Sequence, residues 1–285
     1  MMKRGIRVFC LILSVILFCI SICKIGEQLY DYRKATDYYT ELENAIIWIE
    51  TMPEPIFAPI DAPTKAPTEA PEIEPETEWV DLNEEELPLP DIDFGELNKV
   101  NPDIVCWLYC PDTVINYPVV QGADNEYYLR HLFDGTVNSS GCLFIDAETE
   151  AFEVANTVIY GHAMKDKSMF RSILYYREKG QAYYDAHPFL YLMLPDGAVY
   201  RVELFSGYLT DAKTGDAWKN EFTDEKDYKN WLISCAEKSV FQSMVSVSHE
   251  DTVVTLSTCS FERESSRFVV HGKLVPIRTG EQDRK

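Results

Sequence analysis

A cysteine that could act as a nucleophile stands at the end of a β-branched stretch. Residues 255–258 read Thr-Leu-Ser-Thr and lead into Cys259, and a loop of seven residues then leads to Arg267, which opens another apolar stretch. Strands paired as a hairpin would place Cys259 and Arg267 side by side. A guanidinium near a thiol favours the nucleophilic thiolate and can hold the negative oxygen of a tetrahedral intermediate. A buried core cysteine beside a surface arginine is the competing interpretation, which these residues alone leave open.

A histidine that could exchange protons follows a second predicted strand. Residues 157–160 are strand-like, and the strand stops at Gly161, where a glycine suits a turn, before His162. A histidine on such a loop is partly exposed and is free to act as an acid or a base. A structural role is the competing interpretation, which this residue alone leaves open. The other histidines have structural interpretations: His131 in a predicted helix, His187 before a proline, His249 in a polar loop, and His271 two pleats beyond Arg267.

From about residue 91 the pattern is globular, with many short strands and few helices. The strand-like segments are residues 104–109, 114–120, 142–145, 157–160, 189–194, 199–208, 252–259 and 268–277. The predicted helices are residues 125–133, 169–176 and 224–239. Asp224 can cap the last of them, and Pro-Asp-Gly at 195–197 predicts a hairpin turn. This pattern favours a mainly β fold, a closed barrel with helical insertions.

The cysteines indicate neither a disulfide scaffold nor a metal site. Three of the eight lie in an apolar N-terminal run, and five lie downstream: Cys106, Cys110, Cys142, Cys235 and Cys259. Because five is odd, at least one downstream thiol stays unpaired within the chain. No Cys-x-x-Cys pair occurs, and we expect no metal and no cofactor. Cys106 and Cys110 lie in an apolar stretch and are expected to be buried.

An uncharged, apolar run near the start predicts a membrane anchor. Lys3, Arg4 and Arg7 precede residues 8–23, and Lys24 ends the run. About 17 to 20 apolar residues span a bilayer, and the flanking basic side chains can snorkel, so this short run suffices. The basic start favours a cytoplasmic N-terminus with the rest of the chain outside. The competing interpretation is a cleaved signal peptide, but no Ala-x-Ala-like site follows the run.

The composition changes twice between the anchor and the globular region. Residues 28–49 carry apolar positions near the helical period, which predicts either a helix docked on the domain or a continuation of the membrane helix. Residues 53–90 are rich in proline and glutamate, so we interpret them as a semi-extended acidic spacer. Much of the net charge of -21 lies there, and such acidity argues against nucleic acid as a partner.

The motifs resemble those of the class B sortases. Residues 156–162, Asn-Thr-Val-Ile-Tyr-Gly-His, are similar to the histidine motif of that family, and residues 255–259 are similar to its cysteine motif. Residues 267–274, Arg-Phe-Val-Val-His-Gly-Lys-Leu, resemble its arginine strand. Residues 115–121, 127–129 and 141–146 also fit. The resemblance covers roughly residues 91–277, with the motifs in the right order.

The resemblance implies an eight-stranded sortase-type β-barrel, preceded here by a transmembrane helix, and a two-step acyl transfer. Cys259 would attack the bond after threonine in the C-terminal sorting motif of a surface protein and form a thioester. His162 would protonate the leaving amine, and Arg267 would steady the substrate carbonyl or the oxyanion. An amine of a peptidoglycan precursor or of a pilin would then accept the acyl group.

The same match implies which residues line the groove for the substrate peptide. They are Asn125, Leu129, Tyr160, Ser257 and Thr258. Two features depart from the family pattern. The Pro/Glu spacer is not part of the usual core, and Ser260 stands where some relatives carry an acidic residue.

These inferences divide the chain into five parts. They are a cytoplasmic start and transmembrane anchor (1–27), a helical segment (28–52), a Pro/Glu-rich linker (53–90), a catalytic domain (91–278) and a polar tail (279–285). We expect a single-pass enzyme of the cell membrane with an extracellular catalytic domain. Two other functions stay open: a thiol hydrolase that uses the same site with water as the acceptor, and a non-catalytic, membrane-tethered binding domain.

Overall fold

Strands are the main regular elements of the chain beyond residue 89, as the sequence predicts. The computed structural model describes residues 2–45, 47–48, 80–81, 89–213, 215–259 and 265–278, with only the backbone described for Cys259 and a few other residues at segment ends. The predicted linker (53–90) lies outside the described residues except at 80–81 and 89–90, and the predicted tail (279–285) lies outside them entirely.

One long helix is followed by eleven described strands and four shorter helices. The helices are α1 (Met2–Asn44), α2 (Phe94–Val100), α3 (Tyr175–Glu178), α4 (Gln181–Ala186) and α5 (Glu225–Lys238). The strands are β1 (Ile47–Trp48), β2 (Val80–Asp81), β3 (Pro90–Asp91), β4 (Ile104–Tyr109), β5 (Asn116–Val120), β6 (Leu143–Ile145), β7 (Asn156–Gly161), β8 (Phe189–Met193), β9 (Val199–Asp211), β10 (Val253–Cys259) and β11 (Ser266–Arg278). The 3₁₀ turns are Tyr127–Leu129, Phe170–Leu174 and Asp216–Trp218.

Eight of the strands close into a barrel, which confirms the predicted fold class. Their order is β10-β7-β6-β5-β4-β8-β9-β11, and β11 pairs again with β10 to complete the circle. The pairs β5–β6 and β7–β10 are parallel, and the other six are antiparallel. Closure removes the unpaired edges that an open sheet would expose.

Alternation along β10 and β11 separates two hydrophobic cores. Leu256 and Phe268 belong to the larger core cluster, whereas Val253 and Val269 belong to a second cluster that packs under α5. Successive residues of a strand face opposite sides of the sheet, so each strand contributes to both clusters. The Asp224 carboxylate accepts a hydrogen bond from the Asp227 amide at 2.7 Å and caps α5, as predicted.

Helix α1 continues from the apolar N-terminal run onto the barrel. Residues 28–44 therefore both extend the apolar helix and dock on the domain, the two alternatives that the sequence left open. An 18-residue window of the N-terminal part of α1 has a mean hydropathy of 2.5 with none of it buried, long and apolar enough to cross a membrane. Further along, Ala35 and Tyr39 are buried against the barrel. Tyr39 Oη donates to the Gly141 carbonyl at 2.8 Å, and Asn116 Nδ2 donates to Glu43 Oε1 at 2.7 Å.

The two ends of the Pro/Glu-rich region lie next to each other. Strand β1 follows α1 closely and pairs with β3, with Ile47 opposite Asp91 and Trp48 opposite Pro90. Within the same region, β2 pairs in parallel with β11, with Val80 opposite Ile277 and Asp81 opposite Arg278. Helix α1 therefore contacts the barrel directly, in addition to the chain connection that the spacer interpretation describes.

The predicted helix over residues 125–133 is wrong in extent, since the structure has only the 3₁₀ turn Tyr127–Leu129 there. The Asp124 carboxylate accepts from the amides of both Glu126 and Tyr127, which starts the turn. His131 then forms a β-bridge with Val137 and is therefore not helical. A helical pattern in a segment this short is overridden by side-chain capping and by the following turn.

Four of the five downstream cysteines are buried and free, as expected for core residues. Burial raises the pKa of Cys110 and of Cys142 to about 12, and that of Cys235 to about 11. Burial also raises the pKa of Cys106 far above its ordinary value. These thiols are therefore protonated at neutral pH and are poor nucleophiles.

His271 is fully buried in the core beneath α5 and is remote from proton exchange with solvent. Its Nδ1 lies 2.8 Å from Thr255 Oγ1, whose hydroxyl donates to Asn156 Oδ1 at 2.7 Å, so Nδ1–H donates to the threonine. Nε2 has no hydrogen-bond partner among the described residues. Burial, with a smaller contribution from the Lys238 charge, lowers the pKa of His271 to about 3. The imidazole is therefore neutral at physiological pH, in agreement with a structural interpretation.

We expect His271 to make folding stability fall as the pH drops from about 6.5 toward 3. In that window the unfolded chain takes up a proton on this histidine, whereas the folded chain, with its lowered pKa, does not. Between pH 7 and pH 5 this one histidine should lower the free energy of unfolding by about 2 kcal/mol. Denaturant unfolding of wild type and His271→Gln at both pH values measures the difference. An equal pH dependence in the two proteins would contradict the assignment.

Candidate active site

Three strand ends meet at one end of the barrel. Strands β7 and β10 are parallel neighbours, with Tyr160 opposite Ser257 and Gly161 opposite Thr258, so both chains leave the sheet at the same edge. Strand β11 begins at that edge, and Arg267 is the register partner of Cys259. The predicted hairpin neighbourhood of these two residues is therefore present in the backbone register.

A cleft of about 380 Å³ opens at these strand ends. Its lining comprises Asn125, Leu129, Phe144, Tyr160, Gly161, His162, Ala212, Trp218, Ser257, Thr258 and Arg267. Every predicted site residue whose side chain is described lies in this lining. A larger groove of about 1190 Å³ is elsewhere, around Phe189, Tyr200 and Lys273, and contains none of the predicted residues. Size alone would thus have selected a different region from the one that the sequence predicts.

His162 reaches the cleft because glycine precedes it. A Cβ atom on Gly161 would lie 2.4 Å from Leu143 Cδ2 and 2.6 Å from Phe170 Cδ2, so no larger residue fits without displacing one of them. The chain then turns, and the His162 carbonyl accepts from the Phe170 amide at 2.8 Å. Half-burial leaves the imidazole accessible from the cleft.

A backbone carbonyl fixes the tautomer of His162. Its Nε2 lies 2.9 Å from the Leu129 carbonyl oxygen. A carbonyl oxygen can only accept, so Nε2 carries a proton and donates it. The nitrogen that gains and loses a proton is therefore Nδ1. This arrangement leaves His162 suited to donate to a leaving amine and to accept a proton back.

Tyr160 and Asn125 are held in place on the cleft wall by hydrogen bonds. Tyr160 Oη donates to Asp146 Oδ2 at 3.3 Å, and burial raises the pKa of this phenol, with Asp146 adding to the effect. The hydroxyl is therefore neutral at physiological pH. Asn125 Oδ1 accepts from the Ala147 amide at 2.8 Å. Both side chains offer fixed polar groups to an extended ligand.

Arg267 brings a positive charge to the cleft. It is half-buried at the start of β11, opposite Thr210 on β9 as well as Cys259 on β10, and one guanidinium nitrogen donates to the Ser266 carbonyl at 3.1 Å. Its charge also acts on Tyr160, where it opposes the upward shift of the pKa. A guanidinium in this position can stabilise a neighbouring thiolate or an oxyanion.

Trp218 is a cleft residue that the sequence interpretation missed. It lies in the 3₁₀ turn that follows Gly215, whose φ of +71° suits glycine, and its indole Nε1 donates to Ser257 Oγ at 2.9 Å. The contact spans 39 positions of sequence. A tryptophan within an otherwise small and polar loop was the only signal in the sequence, and it does not reveal the partner.

Comparison with known proteins agrees with this geometry. The family model of the sortase domain matches residues 108–275. Sortase B of Listeria monocytogenes is 41% identical over 187 residues, which cover 63% of this chain and 73% of that protein. The crystal structure of Staphylococcus aureus sortase B superposes with a TM-score of 0.61 at 32% identity, covering 65% of this chain and 87% of that one.

A Staphylococcus aureus sortase B–substrate complex is also similar, with a TM-score of 0.59, 32% identity, and coverage of 64% of this chain and 84% of that one. The family match, the eight-stranded barrel and the gathering of His162 and Arg267 at the end of the Cys259 strand agree with one another. This chain therefore belongs to the sortase family, in its class B, and is a sortase-type cysteine transpeptidase.

Proposed function

We propose that the chain is a membrane-anchored enzyme that cleaves a C-terminal sorting motif after threonine and transfers the resulting acyl group to an amine. The observation that carries this proposal is the meeting of three strand ends. Cys259 ends β10, Arg267 is its register partner, and His162 follows the neighbouring strand into the same cleft. A nucleophile, a proton carrier and a fixed cation are the groups that acyl transfer through a cysteine needs.

In the first step, Cys259 reacts as the thiolate while His162 carries a proton on Nδ1. The sulfur attacks the threonine carbonyl carbon and forms a C–S bond. The carbonyl electrons move onto oxygen, and Arg267 stabilises that negative charge. As the intermediate collapses, the C–N bond breaks, and His162 gives the proton on Nδ1 to the leaving amine. A thioester and a free C-terminal fragment result.

In the second step, the acceptor amine attacks the thioester carbonyl. The C–S bond breaks, the Cys259 thiolate is restored, and the amine proton passes to the neutral Nδ1 of His162. The Leu129 carbonyl holds Nε2 throughout, so the ring presents the same nitrogen in both steps. Water in place of the amine would give hydrolysis by the same chemistry.

The groove residues support an extended peptide beside these groups. Asn125 and Tyr160 are fixed by their own hydrogen bonds, and Trp218 orients the hydroxyl of Ser257. We assign these residues, with Leu129 and Thr258, to binding of the sorting motif. The donor is a surface protein that carries the motif, and the acceptor is an amine of a peptidoglycan precursor or of a pilin.

The apolar part of α1 supports a membrane location. Its exposed apolar side chains have no protein partner among the described residues, so a bilayer is the environment that would bury them. Sortases are cell-surface enzymes, and the basic residues at the start favour a cytoplasmic N-terminus with the barrel outside. We propose a single-pass topology with this orientation.

The experiment that tests the proposed function uses the full chain in detergent with peptides that contain Thr–Gly or Thr–Asn bonds. Mass spectrometry follows the products with and without an added glycine peptide as the amine. We expect an amide-linked product only when the amine is present, and a thioester on Cys259 after acid quenching. Hydrolysis alone, unaffected by the amine, would instead identify a thiol hydrolase.

We expect Cys259→Ala and His162→Ala each to abolish turnover, because one removes the nucleophile and the other removes the proton carrier. Cys110→Ala is the matched control, since that thiol is buried and its pKa is raised to about 12. It should lower thermal stability and retain the rate per folded molecule. Turnover of Cys259→Ala at a measurable fraction of wild type would refute the mechanism.

Arg267→Lys should lose most of the rate, roughly 10- to 100-fold in kcat, with the fold intact. Lysine keeps the charge but lacks the planar fork of donors that can bond substrate and backbone together. Steady-state kinetics with a thermal melt separates the two effects. A near-normal kcat in this variant would mean that positive charge alone is sufficient.

A further inference from the structure

Helix α1 contacts the part of the barrel that holds the catalytic histidine. We propose that Tyr39 of this helix is a positioning residue for His162, so that docking of the anchor helix sets the activity of the site. The proposal rests on the proposed function of His162 and adds a regulatory link from the membrane anchor to it.

The first contact is between the helix and the turn over residues 138–142. Tyr39 is 7% exposed, and its hydroxyl donates to the Gly141 carbonyl at 2.8 Å. About two turns earlier in the same helix, the Asp31 carbonyl accepts from Asn138 Nδ2 at 2.9 Å. The helix therefore holds this turn at both of its ends, 102 and 107 positions away in sequence.

The turn over residues 138–142 in turn holds the segment that contains Leu129. The Cys142 amide donates to the Tyr128 carbonyl at 2.9 Å, and the Asn138 amide donates to the Arg130 carbonyl at 2.9 Å, so the two bonds flank Leu129. At Gly141, φ is +63° and a Cβ would lie 2.4 Å from the Tyr128 carbonyl oxygen and 3.0 Å from that of Leu129. The two backbones are in direct contact, and a shift of one displaces the other.

The last contact reaches the imidazole. The Leu129 carbonyl accepts from His162 Nε2 at 2.9 Å, and this bond sets both the ring orientation and the tautomer. Tyr39 is thus connected to His162 through two backbone segments that touch and are pinned to each other. Loss of its hydroxyl would leave the Gly141 carbonyl without this buried donor and would loosen the turn.

A second series of contacts leads from Tyr39 to the other side of His162. The Tyr39 ring packs edge-on against Tyr117, with ring centroids 5.2 Å apart. Tyr117 Oη accepts from the Met169 amide at 3.1 Å, and Met169 forms a β-bridge with Ala163, the residue after His162. Tyr39 therefore supports two segments: the one that contains Leu129, which accepts from His162, and the one that follows His162.

The test compares Tyr39→Phe with Tyr38→Phe in the full chain in detergent. Both variants lose one hydroxyl and keep the ring, but Tyr38 Oη has no hydrogen-bond partner among the described residues. For Tyr39→Phe we expect kcat for thioester formation to fall about three- to tenfold, with KM within twofold of wild type. Tyr38→Phe should keep the wild-type kcat. Rates are normalised to the folded fraction from a thermal melt.

A spectroscopic readout makes the positioning role independent of turnover. Nitrogen NMR of ¹⁵N-labelled histidine reports which ring nitrogen of His162 carries the proton, with His162→Ala as the assignment control. We expect wild type to show a protonated Nε2 and Tyr39→Phe to show a mixture of tautomers. An unchanged kcat together with an unchanged tautomer in Tyr39→Phe would overturn the proposal. Absence of transpeptidation in wild type would instead refute the proposed function and leave the tautomer measurement valid.

Discussion

The pairing of β10 with β11 is the interaction on which the rest of the structure depends. It closes the barrel, and the same seven register pairs, from Val253–Lys273 to Cys259–Arg267, bring the site together. A slip of one residue would exchange the two faces of β11 and would move Arg267 away from the cleft. The hydrophobic pattern prevents such a slip, because Phe268 and Val270 belong to the larger core while Val269 packs beneath α5. Packing and chemistry therefore require the same register.

Burial decides which histidine and which cysteine are available for chemistry. His162 follows β7 and His271 lies within β11, and both strands pair with β10. His271, however, is enclosed by Tyr208 and Trp231 and is kept neutral. The four described cysteines downstream are buried likewise and hold their protons. His162 and Arg267 stay partly exposed because the sheet stops near them, which leaves polar groups in a cleft beside a rigid scaffold.

The sequence was sufficient for the strands and for the Cys259–Arg267 neighbourhood, because both follow from local patterns. A hairpin brings the adjoining ends of its two strands together, and all eight barrel strands coincide with apolar stretches. The extent of the helix at residues 125–133 was not predictable in the same way, since capping by Asp124 competes with helical propensity. Trp218 was missed because its contact with Ser257 depends on tertiary structure 39 positions away. Long-range packing leaves no periodic trace in a single sequence.

The docked helix also changes how the Pro/Glu-rich region must be understood. As a free tether it would allow the barrel to move on the order of 100 Å from the bilayer. Helix α1, however, rises about 1.5 Å per residue, so Tyr39 lies only about 22 Å beyond Lys24, where the apolar run ends. If residues 8–23 cross the membrane as proposed, the barrel is held close to the surface at a set orientation. The chain on either side of the acidic segment is joined by the pairing of β1 with β3, so the length of the segment does not determine that distance. The height of the active site is then a property of the helix that also braces His162.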